Sequence, residues 1–126
     1  MRQRVHSKMP NVTTHILDLA SGKPAGHVEI EVFFLESKTE KRQVTSRVTN
    51  SDGRVDQPLV SAQDFQEGEY EFHYFIGAYF REQALIKEDP HFLECIVTRV
   101  YLSSNQKHYH IPLLVSPWGY QVYRGS

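Results

Sequence analysis

The sequence predicts an all-β chain: an antiparallel β-sandwich of seven to eight short strands with one short helix. Three observations predict it. β-Branched and aromatic residues recur with period two in short runs, the pattern of half-buried strands. Clusters of Gly, Pro, Asn and Ser separate these runs. Only residues 77–85, with Tyr79, Phe80 and Leu85, carry apolar side chains near helical spacing. Many short strands spaced by turn signals point to a sandwich.

Residues 11–18 form the first expected strand, with Val12, Thr14 and Ile16 on one face and Thr13, His15 and Leu17 on the other. Ser21-Gly22-Lys23-Pro24-Ala25-Gly26 is a turn cluster. In residues 27–35, Val28, Ile30, Val32 and Phe34 alternate with Glu29, Glu31 and Phe33, giving a core face and a solvated acidic one. A third strand is expected over 43–49. Asn50-Ser51-Asp52-Gly53 is a tight turn with Gly placed for positive φ, and Arg54 leaves it directly. A short strand before Pro58 and a polar loop over 61–67 precede the strand at 68–75, where Tyr70, Phe72 and Tyr74 alternate with Glu69, Glu71 and His73. After the helix comes a strand over 94–102, a hairpin-type turn at 103–106, and two terminal strands around Ser116-Pro117-Trp118-Gly119.

A length of 126 residues indicates one domain, 11–126, behind a flexible N-terminal extension, 1–10. Hydrophobic residues at 40% and charged residues at 23% exclude a disordered profile. A net charge of -1 leaves no electrostatic footprint for nucleic acid. No apolar run is long enough for a membrane helix. Cys95 is the only cysteine, so no intrachain disulfide can form; it reads as a small buried strand residue. Arg2, Arg4 and Lys8 precede no apolar stretch, which argues against a secretory signal. The expected location is cytoplasmic, with a peroxisomal one as the alternative. For the latter, Asn11-Val12 and the final Arg-Gly-Ser do not match the usual signals.

The penultimate strand holds the clearest chemistry. Period two puts His108, His110, Pro112 and Leu114 on one face, and Tyr109, Ile111, Leu113 and Val115 on the core face. Pro112 removes a ladder donor, which implies an edge or a bulge. The two imidazoles point away from the core, toward solvent or a subunit interface. Histidines at i and i+2 suit general base catalysis or zinc binding. Zinc would need further ligands, and His15 is the only attractive third; no metal or cofactor is expected. Surface histidines on a polar face are the plainer reading. His15, Arg54, Tyr123 and Arg124 each have an equally plain one taken singly.

Taken together they form a pattern. Thr13-Thr14-His15-Ile16-Leu17-Asp18 with Gly22-Lys23-Pro24-Ala25 stands near the start. Thr49-Asn50 with Asp52-Gly53-Arg54 lies in the middle, and His108-Tyr109-His110-Ile111-Pro112-Leu113-Leu114, Ser116-Pro117 and Tyr123-Arg124-Gly125-Ser126 close the chain. From Val12 to Ser126 the chain resembles the transthyretin-like enzymes, the 5-hydroxyisourate hydrolases. It departs from their pattern only in the basic N-terminal residues and in Trp118, where the family often has another aromatic.

The resemblance implies a transthyretin-like sandwich and hydrolysis of 5-hydroxyisourate, with water opening the ring at the N1–C6 amide to give 2-oxo-4-hydroxy-4-carboxy-5-ureidoimidazoline. It implies that His15 and His110 place and deprotonate the water, without saying which is the base. Arg54 would bind ring oxygens and the developing oxyanion, and Tyr123 would hydrogen-bond the substrate. His108, Ser116, Arg124 and Ser126 would support them. It also implies a homotetramer with sites between dimers. The alternatives are a non-enzymatic carrier of small aromatic ligands, which has no need of the His15, Arg54, His110 and Tyr123 set, and a zinc hydrolase.

Overall fold

The N-terminal strand lies beside the strand that carries both candidate histidines, and this pairing decides where the site forms. In a computed structural model that describes residues 9–125, the elements in chain order are β1 (Asn11–Asp18), β2 (Lys23–Pro24), β3 (Glu29–Leu35), β4 (Lys41–Val48), β5 (Gly68–Tyr74), α1 (Ile76–Glu82), β6 (Ile96–Leu102), β7 (His108–Ser116) and β8 (Gly119–Val122). They make two four-stranded sheets, ordered β2-β1-β7-β8 and β4-β3-β5-β6. The expected sandwich with one short helix is what forms. Its strand pairs are antiparallel except β1 with β7, which run parallel from Asn11↔His108 to Asp18↔Val115. Of the expected extension, residues 1–8 lie outside the described residues; Met9 packs against the core and Pro10 is buried.

The alternation read from the sequence fills the core. Val12 and Ile16 of β1, Val28, Ile30 and Val32 at β3, Tyr70, Phe72 and Tyr74 of β5, and Leu113 and Val115 of β7 are all buried. Burying side chains of this size contributes about 1.5–3 kcal/mol each to folding. Asp18 is buried too, because its carboxylate is fully used. It accepts from the Ala20 and Ser21 amides at 2.8 and 3.3 Å and from the Tyr79 hydroxyl at 2.9 Å, tying the β1–β2 turn to α1.

Several local expectations are corrected. The helix begins one residue earlier than expected and also ends earlier, because Ala84 takes φ 59° beyond its last turn, leaving Leu85 exposed. β6 starts at Ile96, because Glu94 instead pairs with Arg81 and accepts from the His91 amide. Cys95 thus precedes the strand and is only half-buried; burial pushes its thiol pKa up. No strand forms before Pro58; just after it the chain makes an isolated Val12↔Val60 bridge to β1. On the outer face of β5, Glu71 is buried beneath His73, Arg99 and Lys41, which hold its carboxyl down to about 2.

Pro112 is neither on an edge strand nor in a bulge. β7 lies between β1 and β8, but the β8 ladder stops at the Leu113↔Val122 pair. Residue 112 turns its peptide groups to that side, where its carbonyl accepts from the Tyr123 amide at 3.3 Å. The missing donor therefore falls in the gap between the Leu113↔Val122 pair and the His110↔Gly125 bridge, where pairing with the neighbouring chain is interrupted.

Candidate active site

Four segments meet on the outer face of the first sheet. β1 supplies Thr13 and His15, which period two turns away from the core side chains Val12, Thr14 and Ile16. β7 supplies His108 and His110 by the same alternation. Their rings lie nearly parallel, with centroids 6.4 Å apart and an interplanar angle of 11°. His108 is exposed and His110 half-buried.

The turn after β4 supplies Arg54. The Gly53 amide donates to the Asn50 carbonyl at 2.9 Å, and the Asn50 side chain accepts from the Asp52 and Arg54 amides at 2.9 and 3.2 Å. This is the side-chain-closed turn that Asn favours. Gly53 has φ 74°, and a side chain there would run into the Ile16 carbonyl. The Gly53 carbonyl in turn accepts from the Ile16 amide at 2.9 Å, which fastens the turn to β1 one residue beyond His15.

The C-terminal segment is the fourth piece. Beyond β8 it stays in register with β7: the Gly125 amide donates to the His110 carbonyl at 2.7 Å. That register sets Tyr123 opposite Pro112 and Arg124 opposite Ile111. Cross-strand neighbours share a face, so Tyr123 joins the histidines, while Arg124 turns the other way and lies 5.2 Å from the centre of the Tyr109 ring. Ser116 sits in the β7–β8 turn, its hydroxyl donating to the Gly119 carbonyl at 3.2 Å. At strand rise it is about 20 Å along β7 from His110. Ser126 lies outside the described residues.

The electrostatics bind the set together. His15 is held below the ordinary histidine value first by burial and then by the Arg54 charge, with Asp52 pulling the other way. His110 is held below it by burial, then by Arg54, His108 and His15. Both imidazoles therefore stay neutral, and available as bases, at neutral pH. Among the described residues, no group of three or more His, Cys, Asp or Glu side chains is placed to hold a metal ion.

Two residues escaped the sequence reading. Thr13 was placed on the right face but given no role; its hydroxyl is 2.9 Å from Nδ1 of His110. Its signal was present, since a parallel β1–β7 pair puts Thr13 opposite His110, but nothing in a single sequence announces that pair. Gly125 is the other. A Cβ on it would come within 2.9 Å of Cδ2 of His110 and 3.3 Å of the His110 carbonyl. Gly125→Ala should fold, displace the imidazole and lower turnover by up to about 10²-fold, the scale for a misplaced catalytic group. Unchanged kinetics with an unmoved His110 resonance would show that this contact does not position the ring.

Comparison with known proteins places the chain in a family. The HIUase/Transthyretin family model matches residues 12–125. The 5-hydroxyisourate hydrolase 2 of Rhizobium meliloti (strain 1021) is 43% identical over 120 residues, covering 95% of this chain and 99% of that protein. The solved 5-hydroxyisourate hydrolase of Klebsiella pneumoniae is 29% identical with a TM-score of 0.76, covering 94% of this chain and all (100%) of that one. Sea bream transthyretin, solved in complex with thyroxine, is 26% identical with a TM-score of 0.82, covering 91% and 94%.

Proposed function

The chain belongs to the HIUase/Transthyretin family, and from that membership and the outer-face site we infer that it is a 5-hydroxyisourate hydrolase. The observation that carries the reading is that His15 and His110 share one outward face, with Arg54 disfavouring the protonated form of both. A carrier needs no such pair of bases.

The reaction follows from the groups present. A water held between the two imidazoles loses a proton to one of them, and its oxygen attacks C6 of the substrate. The charge that develops on the C6 oxygen is met by the Arg54 guanidinium, whose planar fork also suits the ring oxygens. The N1–C6 bond breaks, N1 takes a proton, and C6 becomes the carboxylate of 2-oxo-4-hydroxy-4-carboxy-5-ureidoimidazoline. Tyr123, on the histidine face and partly exposed, donates a hydrogen bond to the substrate. His108 and Arg124 support the strand and tail that carry His110 and Tyr123. Turnover in ¹⁸O-water tests the bond assignment: the heavy oxygen should appear in the new carboxylate. Heavy oxygen at any other position would contradict opening at N1–C6.

The active form in this reading is a homotetramer with its sites between dimers. Leu17 and Leu114 share the outward face with the histidines and are only half-buried in the single chain. A symmetric assembly would cover them and exclude water from the site.

A further inference from the structure

We propose that Thr13 is a positioning residue that holds His110 in its Nδ1–H tautomer, which makes Nε2 of His110 the base that takes the proton from water. This rests on the hydrolase reading and deepens it, since that reading leaves the two histidines interchangeable.

The argument is a count of protons and lone pairs. Thr13 Oγ1 lies 2.9 Å from His110 Nδ1, 3.4 Å from His108 Nε2 and 3.5 Å from the Tyr109 carbonyl. A hydroxyl has one proton to give and two lone pairs to receive with, and a peptide carbonyl can only accept. One arrangement serves all three contacts: the hydroxyl proton points to the Tyr109 carbonyl, and both ring N–H groups donate to Oγ1. The reverse arrangement, with the hydroxyl donating to Nδ1, leaves that carbonyl contact without a proton. It also puts a proton on Nε2, where a base needs a lone pair.

The ring cannot escape this choice by rotating. Its Nδ1 edge is against Thr13 and its Cδ2 edge is against Gly125. A half-turn about the ring bond would exchange those edges and place a carbon against the hydroxyl. The backbone holds both walls: Thr13 is the parallel-ladder partner of His110, and the Gly125 amide donates to the His110 carbonyl. Each histidine nitrogen is distinct, and the partner of one sets the role of the other.

The test is two-bond ¹H–¹⁵N correlation of the histidine rings in the intact protein, joined to kinetics on 5-hydroxyisourate. Wild type should show His110 with its proton on Nδ1. Thr13→Val keeps the shape and the strand preference but removes the hydroxyl. It should mix the tautomers and lower kcat on the order of tenfold or more, within the roughly 10²–10⁴-fold a positioned acid–base group contributes, with KM little changed. Thr13→Ser should restore both. Loss of the acceptor also destabilises the imidazolium, so the acid limb of kcat should move to lower pH in Thr13→Val. A wild-type His110 protonated on Nε2 would overturn the proposal, as would a Thr13→Val protein with an unmixed tautomer and wild-type kcat. The tautomer is read without substrate, so a correct tautomer in a chain that does not turn over would discard the hydrolase reading and keep the clamp.

Discussion

His110→Ala should fold as the wild type does and lose about 10²–10⁴-fold in turnover, the span of general acid–base catalysis. The fold is expected to survive because His110 is half-buried on the outer face of its sheet, and the core side of β7 is made by Tyr109, Ile111, Leu113 and Val115. The strand keeps its parallel ladder to β1 through the backbone, whatever the side chain. The loss should fall on kcat, because the imidazole acts on water more than on the ring. Thermal melting and far-ultraviolet circular dichroism establish that the variant is folded. A folded variant with full activity would remove the histidine mechanism.

Replacing Arg54 should separate two of its effects. Arg54→Lys keeps a positive charge but not the fork, so kcat/KM should fall by about 10²–10³-fold, the cost of losing an oxyanion donor. Arg54→Gln removes the charge as well, and its pH profile should report that. The Arg54 charge disfavours the protonated form of both His15 and His110 and so helps hold their pKa values below 6.5. Wild type should therefore keep its base form, and its activity, below the pH at which an ordinary histidine protonates. Without the charge the pKa values rise, and the acid limb of kcat/KM should move to higher pH in Arg54→Gln but stay in place in Arg54→Lys. Wild-type kinetics in Arg54→Lys would take Arg54 out of the site. An unmoved limb in Arg54→Gln would deny the electrostatic coupling.

Much of this was legible in the residues themselves. The alternation in residues 11–18, 68–75 and 108–116 sorted the side chains onto two faces correctly, because period two is a property of the strand alone. The Asn50–Gly53 turn was legible because its backbone needs one residue with positive φ and one side chain that can close the turn. The faces carrying His15 and His110 were legible for the same reason as the core. What joins those faces was not. The parallel pairing of β1 with β7 unites strands about ninety residues apart in the chain, and strand alternation carries no record of its neighbour. Thr13 and Gly125 owe their importance to that pairing and to the return of the tail along β7. The place of Pro112 was hidden for the same reason: its tolerance depends on where pairing with the neighbouring strand is interrupted. The burial of Glu71 was equally hidden, because Arg99 and Lys41, which cover it with His73, come from other strands.

The most direct test of the central claim is the ultraviolet decay of 5-hydroxyisourate, generated in the cuvette from urate by urate oxidase, with and without the purified chain and with and without a chelator. The account predicts decay accelerated by the chain and unaffected by the chelator. A folded chain that leaves the spontaneous rate unchanged would contradict it and favour a ligand carrier; acceleration abolished by the chelator would contradict the histidine-activated water.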